Sequence, residues 1–109
     1  MAVVVNRFDV WLVSLDPTKG SEIAKTRPCV IISPDPVNRY LNTVIIAPLT
    51  STQKPYPTRV DCQFDGRDGQ VALDQVRTID KSRLLKKIGQ LGDAVSQQLC
   101  TTLVAMFTY

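Results

Sequence analysis

The sequence predicts a mainly β fold: a small antiparallel barrel with one helix at its C-terminus. Three observations carry this. Over the first three quarters of the chain, short β-branched and apolar runs follow one another between turns. After them, Val95, Leu99, Leu103 and Phe107 recur at four-residue steps, with Cys100 and Val104 beside them. That is the stripe of an amphipathic helix. The 109 residues fit one domain, 1–109, able to bury roughly two thirds of its unfolded surface. Strands in succession, without helices between them, pair antiparallel, and closing the sheet hides its edges.

The elements follow in order. Phe8 to Leu15 alternates Phe8, Val10 and Leu12 against Trp11 and Val13, a strand buried on much of both faces. Asp16-Pro17-Thr18-Lys19-Gly20 breaks it with turn chemistry, and a polar loop runs on to about Thr26. Pro28 to Ser33 is a β-branched core strand, stopped by Pro34-Asp35-Pro36. Asn42 to Leu49 is a third strand, closed by Pro48, and the loop Ser51 to Thr58 follows. Asp65-Gly66-Arg67-Asp68-Gly69 turns a hairpin between Arg59–Phe64 and Gln70–Val76. Ile79 to Leu84 fits a short helical turn. Leu84 to Leu91 fits either a helix, through its leucines, or a strand, through Gly89. The final helix spans about Asp93 to Thr108, with Asp93 as its N-cap.

Composition narrows the chemistry. The chain is 44% hydrophobic and 21% charged, with a net charge of +3, a mild lean toward polyanions. It has no histidine, which excludes a Ser-His-Asp or Cys-His nucleophile pair and any imidazole zinc site. Cys29, Cys62 and Cys100 stand far apart, without a C-x-x-C pair. An odd cysteine count with no signal peptide points to a reducing cytoplasm. No apolar run approaches the ~20 residues of a membrane span. No cofactor is expected.

Several residues could carry chemistry. Arg27 sits where a polar loop enters a core strand, and its planar fork suits phosphate. Thr50 and Ser51 place hydroxyls at another strand end, where they could hold a phosphate oxygen or cap a turn. Asp74 lies in an apolar stretch, as a site acid or as an ion pair with Arg77. Arg77, Lys81, Arg83, Lys86 and Lys87 could bind phosphates or form a solvated face. Tyr56, beside Lys54 in the loop Lys54-Pro55-Tyr56-Pro57, could stack a base or pack the loop onto the barrel.

At these residues the chain resembles the MazF/PemK/Kid toxin endoribonucleases. Asp9 to Thr18 is similar to the family's first strand and loop entrance. Gly20, Glu22 and Thr26-Arg27-Pro28 are similar to its G-x-E…RP signature. Ala47-Pro48-Leu49-Thr50-Ser51 is similar to its third-strand ending, and Asp74 to Leu84 to its acid-Q-x-R-x-I-D-x-x-R-L block. The resemblance implies an SH3-like barrel, a homodimer, and a cytoplasmic toxin neutralised by a cognate MazE-like antitoxin. It also implies metal-independent cleavage of single-stranded RNA by 2′-OH attack, leaving 2′,3′-cyclic phosphate and 5′-OH ends. In that chemistry Arg27 stabilises the phosphorane-like charge, Thr50 holds a non-bridging oxygen, and Glu22 positions Arg27 or the 2′-OH. Asp74 is a base or an RNA contact. RNA-binding positions are expected at Lys19, Lys25, Ser51, Lys54, Tyr56, Gln75 and Arg77, with specificity in the loops Pro17 to Lys25 and Ser51 to Thr58. The Kid-type branch carries an arginine two residues before the acid matching Asp74, where this chain has Ala72. Ser21 replaces a histidine found in some of those members. The expectation therefore rests on Arg27 and Thr50. Two other readings stand beside it: a CcdB-like barrel that poisons gyrase by binding, and a non-catalytic RNA- or protein-binding barrel.

Overall fold

A computed structural model describes residues 4–17, 19–22 and 25–109. Thr18, Ile23 and Ala24 of the first loop lie outside the described residues. Among the described residues, the elements are β1 (Asp9–Ser14), β2 (Thr26–Ile31), α1 (Asp35–Tyr40), β3 (Thr43–Thr50), β4 (Arg59–Phe64) and β5 (Arg67–Ala72). They continue with a 3₁₀ turn (Leu73–Gln75), β6 (Arg77–Asp80), a second 3₁₀ turn (Lys81–Arg83), β7 (Leu84–Gln90) and α2 (Asp93–Phe107).

The strands form one strongly curved antiparallel sheet in the order β4-β5-β3-β2-β1-β7, with β6 also on β3. Its edges β4 and β7 meet through side-chain packing: a Cβ added at Gly89 of β7 would fall 2.8 Å from the Phe64 ring of β4. The expected closed barrel is thus an open one whose two edges are joined by an aromatic contact. Helix α2 packs beside β4. Two apolar clusters fill the two faces. One gathers Val10, Val30, Leu49, Val71 and Leu73 under Leu99 of α2. The other gathers Trp11, Val13, Cys29, Ile31 and Ile46. Buried β1 and β2 side chains alternate between the clusters, as period-2 strands with two covered faces must. Burial pushes the Cys29 thiol up to about 12, so it behaves as a small core hydrophobe.

Strand β3 carries the design. Its first half pairs with β6 from Thr43↔Asp80 to Ile46↔Arg77, and its end pairs with β5 at Leu49↔Val71 and Thr50↔Gln70. Pro48, expected to end the strand, lies inside it, at the seam between these two partners. A residue without an N–H is tolerated there because no ladder bond on that side needs it. The 3₁₀ turn Leu73–Gln75 fills the seam.

Other boundaries moved for physical reasons. The hairpin turn shortens to Asp65-Gly66, both at positive φ (54° and 73°), so β5 starts at Arg67 rather than Gln70. Positive φ at both central residues gives a type I′ turn, whose twist matches the flanking strands. The stretch expected to be helical, Ile79 to Leu84, is β6 followed by a 3₁₀ turn, because residues 77–80 find a ladder partner in β3. Leu84–Gln90 is a strand because β1 offers its free edge. Pro34-Asp35-Pro36 starts α1 as well as stopping β2. Proline in a first turn lacks only an N–H that would be orphaned there. Asn38 of α1 is buried and donates to the Ser33 carbonyl at 2.8 Å, tying the helix to the sheet. Gly92, not Asp93, is the N-cap of α2. Asp93 sits in the first turn, where its charge faces the positive helix end. The stripe is buried at Leu99 and partly at Val95 and Leu103, but Val104 and Phe107 are exposed, at 66% and 73%.

Candidate active site

Arg27 and Thr50 come together through strand register. The β2–β3 ladder pairs Cys29↔Pro48, Val30↔Ala47 and Ile31↔Ile46. Beyond the Cys29↔Pro48 pair, the adjoining strand ends carry Arg27 and Thr50. They line one open pocket of about 390 Å³, with Ser51 on its wall. Arg27 is half-buried at the root of β2, opposite Val13 of β1, and is therefore held by strands on two sides.

Thr50 is buried, and its Oγ1 accepts from the Thr52 N–H at 3.1 Å. That bond fixes the rotamer through an Oγ1 lone pair and leaves the hydroxyl proton to donate elsewhere. Gly69 of β5 makes this packing possible. A Cβ there would lie 2.8 Å from the Thr50 carbonyl oxygen. Lys54, on the loop beyond, is exposed. Its backbone N–H donates to Gln70 Oε1 at 2.9 Å and its carbonyl accepts from Gln70 Nε2 at 3.1 Å, which pins the loop to β5.

A second pocket, of about 410 Å³, opens at the Pro48 seam. It holds Ser21, Glu22, Asp74, Gln75 and Arg77. The expected site residues therefore divide between two neighbouring pockets, one on each side of the end of β3. Glu22 is exposed, and its Oε1 accepts from the Lys19 N–H at 2.7 Å while its own N–H donates to the Lys19 carbonyl at 3.1 Å. These bonds order the described part of the first loop. Arg77 donates from Nη1 to the Leu15 carbonyl at 3.4 Å. Lys19, Lys25, Lys54 and Tyr56 line neither pocket.

Asp74 has a different partner from the one its sequence position suggested. Arg59, not Arg77, grips it: Nε to Oδ1 at 2.6 Å and Nη2 to Oδ2 at 3.1 Å, with the Thr58 hydroxyl on Oδ1 at 3.2 Å. Arg59 stands opposite Ala72 in the β4–β5 ladder. A guanidinium from across the ladder thus reaches the acid that, in the Kid-type branch, has its arginine on the same strand. The Tyr56 ring lies 5.4 Å from the Arg59 guanidinium and packs the loop onto this pair. The Arg59 hydrogen bonds hold the Asp74 carboxyl below the usual carboxylate range, which makes it a weak proton acceptor. A lowered native pKa stabilises the fold above the unfolded value of 3.8, and that contribution is lost as pH falls below it. Asp74→Asn should therefore unfold at lower urea than the parent near pH 7, and the gap should narrow as pH falls below 3.8. Equal midpoints at neutral pH would show that the pair contributes nothing.

The basic stretch from Arg77 to Lys87 works largely inside the fold. Arg83 Nη1 donates to the carbonyls of Ser14 (3.2 Å) and Asp16 (2.6 Å). Lys81 Nζ donates to the Asn38 carbonyl. Lys87 Nζ lies 3.4 Å from the buried Asp9 carboxylate. The Arg83 bonds hold the exit of β1 and the start of the first loop, while Lys81 ties down α1 and Lys87 the entry of β1. Among the described residues, no three Cys, Asp or Glu side chains group as metal ligands.

Residues 6–107 match the family model described as PemK-like, MazF-like toxin of type II toxin–antitoxin system. The chain belongs to this toxin family. It is 38% identical over 96 residues to Endoribonuclease MazF of Staphylococcus saprophyticus, covering 83% of this chain and 80% of that one. Solved structures agree on the fold. MazF from Deinococcus radiodurans superposes with a TM-score of 0.84 at 24% identity, covering 96% of this chain and 97% of that one. A mycobacterial endoribonuclease in complex with its cognate antitoxin gives 0.81 at 23% identity, covering 96% and 98%.

Sequence reasoning passed over Phe64, Arg67, Asp68 and Ile88, which complete the Arg27–Thr50 pocket. A signal for the first three was present. Taking Asp65-Gly66 as a two-residue turn sets Phe64 opposite Arg67, and brings the hairpin end to Gly69 beside Thr50.

Proposed function

We propose that this toxin cleaves single-stranded RNA at short sequence motifs, without a metal, at the Arg27–Thr50 pocket. The observation that carries the reading is the one pocket lined by both Arg27 and Thr50 at adjoining strand ends. The ribose 2′-oxygen attacks the adjacent phosphorus, and the P–O5′ bond breaks. The 2′-OH proton is lost and the leaving 5′-oxygen gains one, giving 2′,3′-cyclic phosphate and 5′-OH ends. Negative charge grows on the non-bridging oxygens, where the fixed Arg27 fork and the Thr50 hydroxyl stabilise it. The substrate supplies the nucleophile, in keeping with a chain that lacks histidine.

The seam pocket, with Gln75 and Arg77 on its wall, offers flanking nucleotides a second contact region. Residues 1–109 act as one toxin domain, as a homodimer in the cytoplasm, and a MazE-like antitoxin occupies the basic surface around both pockets. No helix among the described residues is long and apolar enough to cross a membrane. The test is incubation of purified protein with a long single-stranded RNA in excess EDTA, followed by mapping of the product ends. Discrete cuts with 5′-OH and cyclic-phosphate ends support the reading. Intact RNA across several substrates overturns it, and gyrase inhibition becomes the next assay.

A further inference from the structure

Gln70 lines neither pocket, yet both polar atoms of its side chain are engaged. The pairings Thr50↔Gln70 and Asp61↔Gln70 set it between β3 and β4. Directly opposite residues share a face of the sheet, so the Gln70 side chain rises beside that of Thr50. Strand β3 stops at Thr50, and the loop beyond it returns to this point. There the Gln70 carboxamide acts as a neighbouring backbone would. Its Oε1 accepts from the Lys54 N–H at 2.9 Å, and its Nε2 donates to the Lys54 carbonyl at 3.1 Å. Nε2 also donates to Asp61 Oδ1 at 2.8 Å, which fixes the orientation of the carboxamide. These bonds close a ring from Thr50 through residues 51–54 and back across the ladder. Inside the ring, the Thr52 N–H donates to Thr50 Oγ1 at 3.1 Å. The far end of the loop is held separately. The Thr58 carbonyl accepts from the Leu73 N–H at 3.1 Å, and the Arg59 N–H donates to the Tyr56 carbonyl at 3.0 Å.

We propose that Gln70 is a positioning residue for cleavage. By clamping Lys54 it keeps the Thr52 N–H on Thr50 Oγ1, and so holds the Thr50 hydroxyl in one rotamer for the phosphate. The inference rests on the proposed RNA cleavage at Arg27 and Thr50. A hydroxyl that is already fixed stabilises growing charge without reorganising at the moment of reaction. Residues 51–54 are exposed, and without the clamp no apolar packing holds them in one shape. The Thr50 side chain would then redistribute among its rotamers. Because the hydroxyl serves charge that develops in the transition state, the loss falls on kcat and leaves KM nearly unchanged.

The test measures kcat and KM at one mapped RNA site, with amide hydrogen exchange, for the parent, Gln70→Met and Leu103→Ala. Methionine keeps the length and bulk of glutamine without its hydrogen bonds. The groups it abandons belong to Lys54 and Asp61, exposed residues that water reaches, so the variant folds. Leu103→Ala loosens the packing of α2 on the core, away from both pockets, and controls for lost stability. Gln70→Met should lower kcat by about 10- to 100-fold, as a misplaced group does, with KM within about twofold. Its Thr52 and Lys54 amides should exchange faster, while those of Arg59 and Leu73 stay as protected as in the parent. Leu103→Ala should lower Tm and keep the parental kcat below its melting range. If the parent cuts and Gln70→Met cuts with the same kcat, the positioning role is overturned while the cleavage reading stands. An equal loss of kcat in Leu103→Ala also overturns it, since instability alone then explains the effect. If the parent leaves RNA intact, the cleavage reading falls and the positioning role falls with it.

Discussion

Arg27→Ala is expected to fold and to cut RNA at least ~100-fold more slowly than the parent. The side chain belongs to neither apolar cluster, so its loss opens no core cavity. What is lost is a preorganised charge aimed at the developing phosphorane, on a strand held on both sides by β1 and β3. Arg27→Lys should fall between the two, because lysine keeps the charge but not the two-pronged geometry. Rates on a single mapped site, together with circular dichroism and thermal melts, decide the matter. A folded Arg27→Ala protein with near-parental cleavage would remove Arg27 from the site.

The second large effect is expected at Gly69, which has no side chain and lines the same pocket. Its Cα approaches β3 so closely that a methyl group would sit 2.8 Å from the Thr50 carbonyl oxygen. That atom is backbone in the terminal Thr50↔Gln70 pair of the β3–β5 ladder, so moving it strains the pairing of β5 with β3. Gly69→Ala should cost about 1–3 kcal/mol, as overpacked sites do, and lower Tm by several degrees. It should also slow cleavage, because the displaced residue is Thr50 itself. Gly66→Ala is the control. It meets open space and is strained only by its positive φ of 73°, so a smaller stability loss of about 1 kcal/mol is expected, with no displacement of Thr50. A Gly69→Ala protein that melts and cuts like its parent would show that the hairpin yields freely at this contact.

These two positions illustrate how the site is made. Arg27 was legible as a candidate because a cation stood between a polar loop and a β-branched run. Thr50 was legible for a similar reason, as a hydroxyl at a strand end. Their resemblance to known family signatures raised both above ordinary surface residues. That they line one pocket depends on the pairing of β2 with β3, which neither strand's own sequence specifies. The partner of Asp74 was hidden for the same reason. Arg77 is its near neighbour in sequence, but Arg59 is its neighbour across the hairpin, and two parallel hydrogen bonds decide for the latter.

The sequence by itself determined the class of fold, most strand positions, the C-terminal helix and the family. Alternating burial, turn chemistry and a four-residue apolar repeat are local properties, written in consecutive residues. Only the tertiary structure decided whether Leu84–Gln90 is strand or helix, why Pro48 can lie within a strand, and which charges pair. It also decided that Arg83 and Lys81 bond backbone carbonyls of the fold, and that Phe64 and Ile88 share a pocket with Arg27. Each of these depends on partners distant in the chain. A free edge at β1 draws in β7, the seam between β5 and β6 accommodates a proline, and curvature of the sheet carries the hairpin to the site.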